Sequence, residues 1–348
     1  MFQLSNFWTD SSNQVRAESP PFCAQPLTVD NNSNALLSLL PASYRTASDN
    51  LVASSRDLLT CIEKELDLER LDKIYSRLWV AGRPMPPRPL HYQLLLSREI
   101  FVTERMDMHL VWTTGRMFLK PIPRFLLLPQ FWTDYLSCAP GCRCPKEVNS
   151  PGVNQACDRR RLWKRALGFL FSYAALIMHE SDFLIAKEKH LLPDELQWPD
   201  WRTIVDQLDT GRIYSKIDRR FLYGELRLSR LNKIYFFSQS SLRGYMARWH
   251  QYEGLFQDNF AWLASATVYI AVVLSSMQLG LATDALQHNN AFQSASYGFT
   301  VFSILGPLIA IALVLAVFCY IFASNWVATV VYKRKRFSEM KALSGVEA

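Results

Sequence analysis

The sequence predicts a membrane protein that is mainly α-helical: a cytosolic domain with a small β-hairpin element, then a C-terminal hairpin of two transmembrane helices. Three observations predict this. The runs 260–282 and 299–331 contain no Asp, Glu, Lys or Arg, and each exceeds the roughly 20 apolar residues that cross a bilayer. Basic residues flank them: Arg243 and Arg248 come before the first run, and Lys333, Arg334, Lys335 and Arg336 follow the second. The segment between the runs, TDALQHNNAFQSASYG, holds neither Lys nor Arg. Buried helices of a soluble core seldom stay charge-free for so long.

Basic residues near span ends are retained in the cytosol, so both termini are expected to be cytosolic and residues 283–298 luminal or extracellular. Phe260 and Trp262 at one span, and Tyr320, Trp326 and Tyr332 at the other, suit an interfacial aromatic belt. The start MFQLSNFWTDSSNQVRAESPP has neither a basic n-region nor an apolar h-region, so the first span is expected to act as an internal signal anchor. Seven cysteines in a mainly cytosolic chain argue against a disulfide framework. The tail ends SGVEA, without a KDEL-type or dilysine address, so the particular membrane is left open.

Residues 1–50, rich in Ser, Asn, Pro and Gln, show no sustained period and are expected to be disordered. An amphipathic helix is expected over 51–82, with Ser54 and Asp57 at its start and Leu58, Ile62, Leu66, Leu71, Tyr75 and Leu78 along one face. Gly82 ends it. Residues 83–90, RPMPPRPL, read as a rigid Pro-rich connector, since proline removes donors and fixes the backbone; they also offer a PxxP ligand pattern.

An α-rich cytosolic domain follows over 91–258. Ile100–Thr103 and His109–Trp112 read as strands, and Thr114-Gly115 before Met117–Leu119 reads as a hairpin turn. Residues 137–158 read as a Cys-containing loop, and ALGFLFSYAALIM, too short to span, as a core helix. Another helix starts near Pro199, with Trp201, Ile204, Val205 and Leu208 on one face. A last soluble helix is expected over 220–237. The spans then occupy 259–282 and 299–331, with a bend at Gly306-Pro307, and 332–348 form a basic cytosolic tail.

No catalytic or metal set stands out. His179, Glu180 and Asp182 gather titratable groups at one helix turn, yet a zincin needs a second His four residues on, where Phe183 stands. A polar turn pairing with Lys187 or arginines is the plainer reading. Arg105, Asp107 and His109 read as a buried polar cluster or a sheet edge. Cys138, Cys142, Cys144 and Cys157 invite zinc, but the spacing lacks paired C-x2-C knuckles. P-loop, dinucleotide, nucleophile-elbow and kinase signatures are missing. No cofactor is expected.

Between Arg212 and Arg248 nine basic residues face two acidic ones, Asp218 and Glu225. With a bilayer close in sequence, anionic lipid headgroups rather than nucleic acid are the expected partner, touched by Arg219, Arg220, Arg227, Arg230, Lys233, Arg243 and Arg248. The spans hold Gln278 and Asn325 but no ionisable group, unlike ion pathways. Ala271 with Ser275, Gly306 with Ala310 and Ala312 with Ala316 are small-residue steps that suit self-association.

The words VTERMDMHLVW, FLKPIPRFLL, ALGFLFSYAALIMHESDFLIAKE and YGELRLSRLNKIY, with the hairpin from NFAWL to YKRKR, resemble a filamentous-fungal family of uncharacterised two-span membrane proteins, over about Leu71 to Arg336. The resemblance implies no activity, substrate or site residue. It implies an accessory or subtelomeric gene-cluster setting associated with hyphal surface and biofilm architecture, and makes the cysteine loop an insertion. The expected function is a non-enzymatic membrane-anchored adaptor with a protein partner. The rival readings are a membrane-bound enzyme using His179, Glu180 and Asp182, and an accessory subunit of a channel or transporter.

Overall fold

The structure, a computed structural model, describes residues 19–27, 38–138, 142, 157–238, 245 and 252–344. The chain divides into two compact units, Met1–Met246 and Ala247–Ala348.

The first unit is mainly helical around two small sheets. Strands β1 (Ser43–Arg45) and β2 (Leu51–Ala53) pair antiparallel. The expected disorder over 1–50 is therefore corrected for its described part. Phe22, Leu27 and Leu40 are buried, Phe22 meets Trp132 edge-on at 6.4 Å, and the Cys23 and Ala24 N–H groups donate to Gln207 Oε1. Apolar residues too sparse to show a period still find a groove in the folded core.

Helix α1 (Leu58–Glu65) starts at Asp57, whose carboxylate accepts from the Thr60 N–H at 3.1 Å. The single helix expected over 51–82 is broken. After α1 come only short turns, Arg70–Lys73, Tyr75–Arg77 and Leu78–Ala81, with Glu69 at φ 29°. Leu66 and Leu68 explain the break, because residues two apart point to opposite helix faces, yet both are fully buried.

The Pro-rich segment is packed rather than a free spacer. Gly82 bridges Leu226, the Gly224 N–H donates to Met85 O at 2.8 Å, and α2 (Leu90–Leu95) begins at once with Leu90 buried. A Cβ at Gly224 would lie 2.5 Å from Pro87 N and 2.7 Å from the Pro86 carbonyl carbon, so only glycine admits this approach.

Strands β3 (Glu99–Val102), β4 (Val111–Thr113), β5 (Arg116–Leu119) and β6 (Leu226–Arg227) form one sheet in the order β3-β5-β4-β6. The β4–β5 hairpin turns at Gly115, at φ 72°, as its Thr-Gly sequence suggested. The pairings of β3 with β5 and of β4 with β6 are parallel and leave no local signature. β6 lies where a helix over 220–237 was expected; the helix there, α6 (Leu228–Ser238), starts later, and Arg219–Leu222 is a 3-10 turn.

Helix α3 (Asp158–Leu176) crosses the core, with every residue from Ala166 to Tyr173 buried. α4 (Glu180–Glu188) follows at a 114° bend, and α5 (Trp198–Gln207) carries Pro199 in its first turn with Trp201 and Ile204 buried. At the centre, His109 accepts from the Lys120 N–H through Nδ1 at 3.1 Å, so its Nε2 carries the proton toward Ser172 Oγ at 2.9 Å. Burial, with help from Arg220 and Lys120, holds its imidazole neutral, well below the usual titration range.

The second unit has two helices long and apolar enough to cross a membrane. α7 (Tyr252–Leu281) contains the apolar stretch Ala264–Leu281, of mean hydropathy 1.5, and α8 (Asn290–Ser344) contains one of 2.8. Apolar side chains face outward along both, such as Val272 and Leu313. Between the two helices lie a turn, Asp284–Gln287, and Asn289, whose Oδ1 accepts from the Ala291 N–H at 3.0 Å. α8 runs as one helix through Pro307 and takes in most of the expected tail.

Candidate functional site

The candidate trio His179, Glu180 and Asp182 lies together at the start of α4. Asp182 is fully buried: its Oδ1 accepts from the His91 N–H and faces His91 Nδ1, both at 2.8 Å, and its Oδ2 accepts from the His179 N–H at 3.1 Å. It closes the N-terminus of α4 and ties it to α2. His179 and Glu180 are exposed. Lys187, the cation expected for these carboxylates, instead donates to the carbonyls of Pro193 and Asp194 at 2.6 and 2.8 Å.

Asp107 is buried between the guanidinium groups of Arg70 and Arg105, each at 2.8 Å, and its carbonyl accepts from Tyr245 Oη at 2.6 Å. This cluster joins the 3-10 turn Met106–Met108 to Tyr245 and is committed to packing. Cys138, Cys142 and Cys157 lie together, half-buried, although their spacing argued against it. Cys144 lies outside the described residues.

The basic stretch separates into three groups. Arg219, Arg227, Arg230 and Lys233 are exposed. Arg243 and Arg248 lie outside the described residues. Arg220 is removed from the lipid-facing set: it is 2% exposed, and its guanidinium donates to His109 O at 2.9 Å and to Tyr223 O. Burial lowers its pKa to about 10, so it stays charged at neutral pH inside the fold.

Among the described residues, an open pocket of about 340 Å³ lies between the Pro-rich segment and β6. Arg83, Arg88, Arg227, Arg230, Trp112 and Glu225 line it. Glu225 organises its floor. The carboxylate accepts from Arg88 Nη2 at 2.6 Å, Arg98 Nη1 at 2.8 Å and Gln93 Nε2 at 2.8 Å. Burial pushes its pKa up, but these hydrogen bonds outweigh burial and hold it at about 2. The β4–β6 register sets Arg227 beside Trp112, and the Arg98 and Arg227 guanidinium groups lie 3.9 and 5.2 Å from the indole centroid. Arg230 reaches Val80 O at 3.1 Å.

Four arginines against one carboxylate leave the lining positive, and the carboxylate is already shared between Arg88 and Arg98. Such a pocket can take up phosphate or another anion through guanidinium forks. Arg227 and Arg230 stand out in the sequence as part of the basic stretch. Arg83, Arg88, Arg98, Trp112 and Glu225 do not, although Glu225 is one of only two acids among nine bases, a usable sign of a committed ion pair.

No curated protein and no solved structure matches the chain. A family model described as a family of unknown function, DUF6601, matches residues 58–307, from the first residue of α1 into α8, and takes in the pocket, the cysteine cluster and α7. The chain therefore belongs to the DUF6601 family of unknown function.

Proposed function

We propose that this protein is a non-enzymatic, membrane-anchored adaptor: α7 and α8 hold it in a bilayer, and its folded domain engages anionic lipid headgroups through the arginine pocket. The pocket carries the reading. Of its arginines, Arg88 and Arg227 are already ordered by Glu225 and Trp112, so little of their freedom is lost when an anion enters. The enzyme reading would need Asp182, whose oxygens are taken up by His91 and the start of α4.

The full chain in detergent, titrated with a short-chain anionic phospholipid, is expected to bind it in a salt-sensitive way and to ignore phosphatidylcholine. R227Q/R230Q is expected to weaken binding about 30-fold, each arginine near the headgroups contributing about 1 kcal/mol. Equal binding of the neutral lipid, or an unchanged affinity in the variant, rejects the pocket as the lipid site.

The topology proposed with it places both termini in the cytosol. A glycosylation acceptor inserted beside Asn289 is expected to be modified in the secretory pathway, and one beside Ser54 is not. The reverse pattern would move the folded domain to the other side of the membrane.

A further inference from the structure

We infer that Cys138, Cys142 and Cys157 bind one thiophilic divalent metal ion of the zinc class. Their three sulfur atoms lie within 4.8 Å of one another, and Cys138 Sγ is 3.5 Å from Cys157 Sγ. Thiolates around tetrahedral zinc, at about 2.3 Å from the metal, stand about 3.8 Å apart, a spacing between the 3.5 Å of the Cys138–Cys157 pair and the 4.8 Å that bounds the cluster.

Two of the three cysteines adjoin packed elements. Cys138 follows the turn Trp132–Leu136, whose Trp132 and Leu136 are fully buried. Cys157 is the residue that starts α3, and its Sγ accepts from the Arg160 N–H at 3.5 Å, the kind of outer hydrogen bond that metal-bound ligands take. Three thiolates on a divalent ion leave one negative charge, and Arg159 and Arg160 stand two and three residues after Cys157, beyond Asp158, which pairs with Arg161 at 2.9 Å. All three cysteines are half-buried, so an ion can reach them, and zinc takes a fourth ligand besides. A metal here clips the turn before residue 139 to the first turn of α3, closing the segment between them.

The full chain, purified in detergent under reducing conditions from zinc-supplied cells, is expected to hold about one zinc per chain. Mercurial titration releases that zinc, and cobalt(II) exchanged into the protein shows a thiolate charge-transfer band. C138S, C142S and C157S each bring the metal to background, while C23S and C319S retain it. The cobalt spectrum of the unaltered chain decides the matter even if a serine variant folds poorly. No zinc and no charge-transfer band, retention of metal in all three single variants, or a Cys138–Cys157 disulfide under the same reducing conditions overturns the inference.

Discussion

Glu225→Ala is expected to destabilise the folded domain by about 3–5 kcal/mol, because removing one partner of a buried ion pair leaves its charges uncompensated. Here the orphans are two arginines and an amide: Arg88, Arg98 and Gln93 all donate to this carboxylate, and Gln93 and Arg98 are themselves buried. Denaturant unfolding of the full chain in detergent, followed by tryptophan fluorescence, measures the loss. The pH dependence gives a second readout. With a folded pKa of about 2 against an ordinary value of 4.5, the carboxylate's contribution is fully present above pH 4.5 and is lost as pH falls through about 2. The gap between the unaltered protein and the variant should therefore close over that acid range. A loss below about 1 kcal/mol, the scale of an exposed salt bridge, would show that Glu225 does not organise the pocket floor.

Arg220→Ala is the second large effect, again at about 3–5 kcal/mol. It strands the carbonyls of His109 and Tyr223, each costing about 1–3 kcal/mol when buried without a donor, and it opens a cavity. Its neighbour in sequence gives the control: Arg219→Ala, at an exposed position, should stay within about 0.5 kcal/mol. A stable Arg220→Ala protein with weakened anionic-lipid binding would return Arg220 to the lipid-facing set. These two outcomes separate side chains that composition alone places in one basic stretch.

Features written in local pattern are legible in the sequence. The apolar helices of the second unit, the Thr-Gly hairpin, the core helix through ALGFLFSYAALIM and the Pro199 helix start each depend on residues within a few turns of one another. Pairings between distant segments are not legible in this way. Nothing near Leu226 announces a strand, because its partners, Gly82 and Val111, come from far upstream and two residues cannot show a period. The same holds for the cysteines: Cys138 and Cys157 are separated by a segment whose spacing argues against a metal, and the start of α3 carries Cys157 back to the turn that holds Cys138.

Sequence alone determined that the chain has two helices apolar enough to enter a bilayer and a folded, mainly helical region before them, because hydropathy and helical period are properties of neighbouring residues. Only the tertiary structure decided which charges face outward. Burial is set by what the rest of the chain packs against a side chain, so Arg220 went into the core, Asp182 to a helix start, and Arg227 and Arg230 to the rim of a pocket.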